Sequence, residues 1–208
     1  MGKTPGVPVL YVDGCDVSLD PAAAHNVRCN LGMRGARLWL LRPGDTRALG
    51  PGTVLDGRGC LALPAPSDAC APRRPASSSP SGTSRPVVPE VPLLADVCRR
   101  LGPAAAGAAA AAVAQRVRAG ARVLAGTPRG AGGLDGLLDE LDWFVRGGLT
   151  PGQAIAAATT AQGARIEDGG PADVWLVPDG VLRDVTALRG VRHVIEGGVR
   201  VGGGGRDG

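Results

Sequence analysis

Side chains that hold metals, attack carbonyls or shuttle protons are sparse in this sequence. Its 208 residues include two histidines, His25 and His193, and five cysteines, Cys15, Cys29, Cys60, Cys70 and Cys98. A catalytic zinc takes three protein ligands and a water, and a structural zinc takes four. The histidines stand far apart and no two cysteines form a CxxC pair, so spacing alone reveals no ligand set. Cys70 sits among alanine and proline with no histidine nearby and reads as an inert or surface thiol, because reactivity needs an electropositive setting. His193 alternates with Val191 and Ile195, which points it into a sheet core as a hydrogen-bonded structural histidine. Asp139, Glu140 and Asp142 share one helical segment and read as its solvated face, with cation binding the lesser alternative. Gly2-Lys3-Thr4 has the end of a phosphate-binding loop without its preceding glycine, strand or following helix.

The elements that must position these groups follow from periodicity. Short strands are expected at Val7–Val12, Ala36–Leu41, Thr53–Leu55 and Cys60–Leu63, punctuated by Gly14, Pro43-Gly44 and Gly57. From Pro64 to Pro92 proline, serine and arginine dominate and apolar periodicity lapses, which predicts a disordered linker. Alanine predicts a helix over Leu101–Arg118, followed by a strand at Ala121–Ala125. Leu134, Leu137, Leu138, Leu141 and Val145 recur at helical spacing and give one apolar stripe ending at Gly147-Gly148. The next helix starts with Thr150 as N-cap, Pro151 in the first position and Gln153 in the reciprocal capping position. Strands return at Asp173–Val177, Val191–Ile195 and Val199–Val201, the last two joined across Gly197-Gly198 as a hairpin.

Between Gly120 and Val201 the chain reads GARVLAGTPRG, then LLDELDWFVRGGLTPGQAIAAATTAQGARI, then GGPADVWLVPDGVLRDVTALRGVRHVIEGGVRV. This ordered series resembles the C-terminal third of amidohydrolases of the imidazolonepropionase and prolidase-like type. The segment RGARLWLLRPGDTRALGPGTVLDGRGCLALPAPSDACAP is similar to the same family's N-terminal strands. The resemblance implies a mixed α/β fold. A small β-sandwich built from both chain ends would stand beside an incomplete TIM-barrel remnant of helices and one strand. Residues 1–63 and 164–201 would form the composite β domain, 64–92 the disordered linker, 93–163 the barrel remnant and 202–208 a flexible tail.

In that family one or two divalent metals, usually zinc, activate a water against carbon–nitrogen bonds outside peptides. The resemblance puts a His-x-His pair at the end of the first barrel strand, where this chain has Cys70 and Pro72 after a matching Asp68 and Ala69. At the end of the last barrel strand Gly126 and Thr127 match, but Pro128 replaces the aspartate that binds metal and carries the proton. Only about fifty residues separate Pro72 from Ala121, whereas a whole barrel takes about 200 to 250. The expectation is therefore a protein without catalytic, cofactor-binding or metal-binding residues and without a cofactor, inactive as a hydrolase.

Composition narrows the partners. The net charge of +4 comes almost wholly from scattered arginines, with Lys3 the only lysine, so no nucleic-acid footprint is legible. The run from Val7 to Val12 contains Pro8, and the alanine stretch Ala104–Ala114 is far shorter than the roughly 20 residues that span a bilayer. Neither a membrane span nor a secretory segment is expected, and the odd cysteine count predicts a reduced, cytoplasmic protein. Two alternatives stand beside an inactive hydrolase. One is a disrupted amidohydrolase gene. The other is a non-catalytic interaction module, in which the Leu134–Val145 stripe has lost its sheet and is exposed for self-association or a protein partner.

Overall fold

The computed structural model describes residues 8–46, 48–66, 93–126 and 133–203. Strand β1 (Val9–Asp20) and strand β2 (His25–Arg34) form a long antiparallel hairpin. Asp20 Oδ1 accepts from the backbone N–H of Ala22 at 3.0 Å and so helps close the turn. Sequence reading stops β1 at Val12, because Asp13-Gly14 has the composition of a turn. Gly14 instead takes φ +73° in a bulge, and the register jumps from Val12↔Leu31 to Cys15↔Cys29. Asn30 fastens the bulge, its Oδ1 accepting from Gly14 N at 2.9 Å and its Nδ2 donating to Asp13 Oδ1 at 2.7 Å. Asn30 is fully buried, so Asn30→Ala leaves the Gly14 N–H without its acceptor. A loss of about 2 kcal/mol is expected, read as a lower urea midpoint at unchanged slope.

Strands β3 (Arg37–Leu41), β4 (Thr53–Asp56), β5 (Cys60–Pro64), β6 (Val174–Pro178), β7 (His193–Glu196) and β8 (Val199–Gly202) complete one sheet. Its order is β3-β2-β1-β5-β6-β7-β8, with β4 paired to β1. The first half of β1 pairs in parallel with β4, and its second half, at Asp16 and Val17, pairs in parallel with β5. The two ends of the chain join at β5 and β6, antiparallel from Cys60↔Pro178 to Pro64↔Val174. A second seam runs from Leu38 N to Gly170 O at 3.0 Å and from Ala172 N to Ala36 O at 3.1 Å. The β7–β8 hairpin forms where Gly197-Gly198 predicts it, with both glycines at positive φ.

Strands β5 and β6 are apolar without alternation because both of their faces are covered. On one face Ala62, Val174 and Leu176 join Val12, Cys15, Val17, Leu31, Met33, Leu38 and Ile195 in a core made wholly of sheet and loop residues. On the other, Leu61, Leu63, Trp175 and Val177 pack against the helices. Those helices are α1 (Leu94–Leu101), α2 (Pro103–Arg118), α3 (Gly133–Arg146) and α4 (Pro151–Ala158). None among the described residues is long and apolar enough to cross a membrane. Helix α4 starts with the predicted capping box, Gln153 N donating to Thr150 Oγ1 at 3.2 Å and Thr150 N to Gln153 Oε1 at 3.0 Å.

Several expectations need correction. The alanine helix begins at Pro103, since Gly102 at φ +87° separates it from α1, which periodicity missed. No strand forms at 121–126. Among the described residues that segment has no strand beside it, and Ala125 N donates to Ala157 O at 2.9 Å on the last turn of α4. The Leu134–Val145 stripe is not exposed. Leu137, Leu138 and Leu141 are buried in the helical core, because the outer face of β5 and β6 supplies the sheet that the stripe was expected to lack. The expected linker 64–92 lies outside the described residues except at 64–66, where Pro64 ends β5. In the expected tail 202–208, Gly202 still belongs to β8, and 204–208 lie outside the described residues.

Candidate functional site

A groove of about 400 Å³ opens where β5 ends, between Pro64-Ala65-Pro66, the loop from Gln162 to Asp173, and Glu196 of β7. Prolines 64, 66 and 171 give it apolar walls, and Arg165, Glu167, Asp173 and Glu196 give it charge. Asp173 ties the segments together, its Oδ1 accepting from Gly197 N at 2.7 Å and its carbonyl from Ala65 N at 3.0 Å. Gln162 donates to Ala125 O at 2.5 Å and Arg122 to Ala161 O at 2.5 Å, which moors 121–126 beside the groove. Three carboxylates against one guanidinium give a polar, acid-rich wall. No histidine or cysteine lines it among the described residues, so it offers neither an imidazole base nor a thiol nucleophile there.

The histidines lie elsewhere. His25 is exposed at the start of β2, and His193 is buried in β7 opposite Leu176, with β1, β5 and β6 between the two strands. Burial of His193 follows its alternation with Val191 and Ile195. The cysteines converge more than their spacing suggests, since Cys15 and Cys29 are cross-strand partners and Cys60 shares their core. Burial pushes the Cys15 thiol up to about 12 and also raises Cys29 and Cys60, so all three are protonated core fillers at neutral pH. Cys98 lies on α1 and is half-buried.

The acidic trio splits. Asp139 is exposed and Asp142 pairs with Arg146 at 2.7 Å, but Glu140 is only 2% exposed. Its Oε2 accepts from Leu94 N at 2.8 Å and Ala95 N at 3.3 Å, and burial raises its carboxyl to about 7. The solvated-face reading therefore fails for Glu140. The signal was present, because Glu140 lies three residues after Leu137 and four before Phe144, on the apolar stripe itself. Among the described residues no group of three or more His, Cys, Asp and Glu side chains is arranged to hold a metal ion. The family positions Asp68, Ala69, Cys70, Pro72, Thr127 and Pro128 lie outside the described residues, as does Gly2-Lys3-Thr4, whereas Gly126 is described just beyond the Ala125 contact.

No protein-family profile and no curated protein sequence matches the chain. Among solved structures it is similar to a prolidase-like protein from Bifidobacterium longum, over 95% of each chain, at 13% identity and a TM-score of 0.66. The likeness is one of fold. A prolidase complexed with N-methylphosphonate-L-proline also aligns, over 94% of this chain and 100% of that one, at 12% identity and a TM-score of 0.44.

Proposed function

We propose that this chain is an amidohydrolase relative that does not hydrolyse, keeping the β-sandwich of the family from its residues 1–63 and 164–201 and a helical remnant of the barrel from 93–163. The ordered motifs from Gly120 to Val201 and the fold likeness support the ancestry. One observation carries the loss of activity: the only two histidines of the whole chain stand on strands separated by three others, away from the groove. A family-type zinc site needs three or four fixed donors. The matched positions offer Cys70, Pro72 and Pro128, and proline has no ligand atom. The residues present do not fit the metal, so no catalytic step is assigned to one. The proposal includes a reduced, cytoplasmic setting, no cofactor and no nucleic-acid partner. Any retained binding function is assigned to the groove beside Pro64-Ala65-Pro66, since the Leu134–Val145 stripe is spent inside the core.

Two measurements test this. Elemental analysis of dialysed protein is expected to find no stoichiometric zinc, and one zinc per chain would overturn the reading. Pro128→Asp with added zinc is expected to give no hydrolysis of simple esters or amides, because one carboxylate does not make the multi-ligand site that brings a water's pKa near 7. Turnover above a no-enzyme control would show that the missing ligands exist.

A further inference from the structure

Helix α1 has no N-cap of its own. Leu93 precedes it without a side-chain acceptor, and its first N–H groups donate instead to Glu140, 46 residues away on α3. Leu94 is the one buried residue of α1, so the helix is held to the core by that side chain and by the Glu140 carboxyl. We propose that Glu140 is a pH-operated clasp: its carboxyl holds the first turn of α1 against the core in acid solution, and the hold loosens as the pH rises to neutrality.

Among the described residues, the charges around Glu140 give it no cation to offset ionisation. From α1 it faces Asp96, a like charge, itself paired with Arg99. Helix α4 carries no charged residue. The charged residues of α2 are Arg116 and Arg118 in its last turn, and Arg118 donates to Gly148 O at 2.8 Å. The 3-10 segment Val185–Gly190 brings Arg189, which is bound to Asp135 at 2.7 Å. The two N–H donors and the positive end of the α1 dipole favour the carboxylate. Desolvation outweighs them and raises the group from 4.5 to about 7.

The sign follows from linkage. A folded-state value above the unfolded one means that stability is full below about 4.5 and is lost as pH rises through about 7. Above that the folded chain carries a buried charge, and opening α1 is the local motion that hydrates it. The opening constant should rise by about two orders of magnitude across this window, the factor that the shift represents.

Hydrogen exchange read by mass spectrometry on the full chain from pH 5 to 9, corrected for intrinsic exchange, tests the clasp. Protection of α1 relative to β6 is expected to fall steeply from pH 5 to about 7 in the wild type and to level off above that. It should stay flat in Glu140→Gln, which keeps an acceptor oxygen and cannot ionise. Asp96→Asn should move the midpoint to lower pH by removing the neighbouring negative charge. A flat wild-type profile, or the same slope in Glu140→Gln, would overturn the proposal. Should Glu140→Gln fail to fold, an unmoved midpoint in Asp96→Asn would overturn it equally.

Discussion

Gly198→Ala is expected to lower the thermal midpoint by about 10 °C, because two independent penalties meet at one atom. Gly198 has φ +78°, where a side chain costs about 1–2 kcal/mol. An added Cβ would also sit 1.9 Å from the carbonyl oxygen of Gly35, in the turn between β2 and β3. Backbone must move there, and with it the Gly198 N to Ala172 O bond of 2.9 Å and the nearby seam at Ala36 and Leu38. Together these come to about 3–4 kcal/mol, and each kcal/mol moves the midpoint of a chain of this size by about 2–4 °C. Gly163 isolates the first penalty, since it has φ +94° and open space where its Cβ would be. Gly163→Ala should cost about a third as much. Equal melting shifts for the two variants, followed by circular dichroism, would show that the contact between the two turns contributes nothing.

Phe144→Ala should cost about 3–5 kcal/mol in urea denaturation. Phe144 is the chain's single phenylalanine and is fully buried in the helical core. The core cannot close on the space left behind. Gly147 already seats the end of α3 against α2, where a Cβ would come within 2.5 Å of the Ala110 backbone. Phe144→Leu retains most of the volume and should cost about 1–1.5 kcal/mol. The idea fails if the alanine variant is no less stable than the leucine one.

The residues show which parts of this were legible beforehand. The capping box at Thr150-Pro151-Gly152-Gln153 and the Gly197-Gly198 hairpin are local devices, and local chemistry in the sequence announced them. The joining of both chain ends in one sheet came from the order of the elements, strand-rich at both ends with helices between, and from the family resemblance, although nothing near Cys60 points to Val174. Strand β2 went unread because its first four residues, His25 to Arg28, are exposed and its bulge partner Asn30 is buried by a partner strand rather than by its own pattern. At Ala121–Ala125 the composition suits a strand, but a strand needs a neighbour and the fold places α4 there instead. The candidate groove was illegible for the same reason, since its walls come from three distant segments. Glu140 was legible on the helix and misread by its charge.

The joining of β5 to β6 also sets a timetable for synthesis. Pro64 leaves the ribosome about 110 residues before Val174, its partner across the ladder. At about 5–20 residues per second, that edge of β5 stays unpaired for about 5–20 s. Strand β1 can take up the other edge at once, so the nascent chain waits with half a sheet and one open, wholly apolar strand. An edge of that kind is a template for pairing with other chains. The interval before β6 emerges is therefore when the protein depends most on being kept apart from its neighbours.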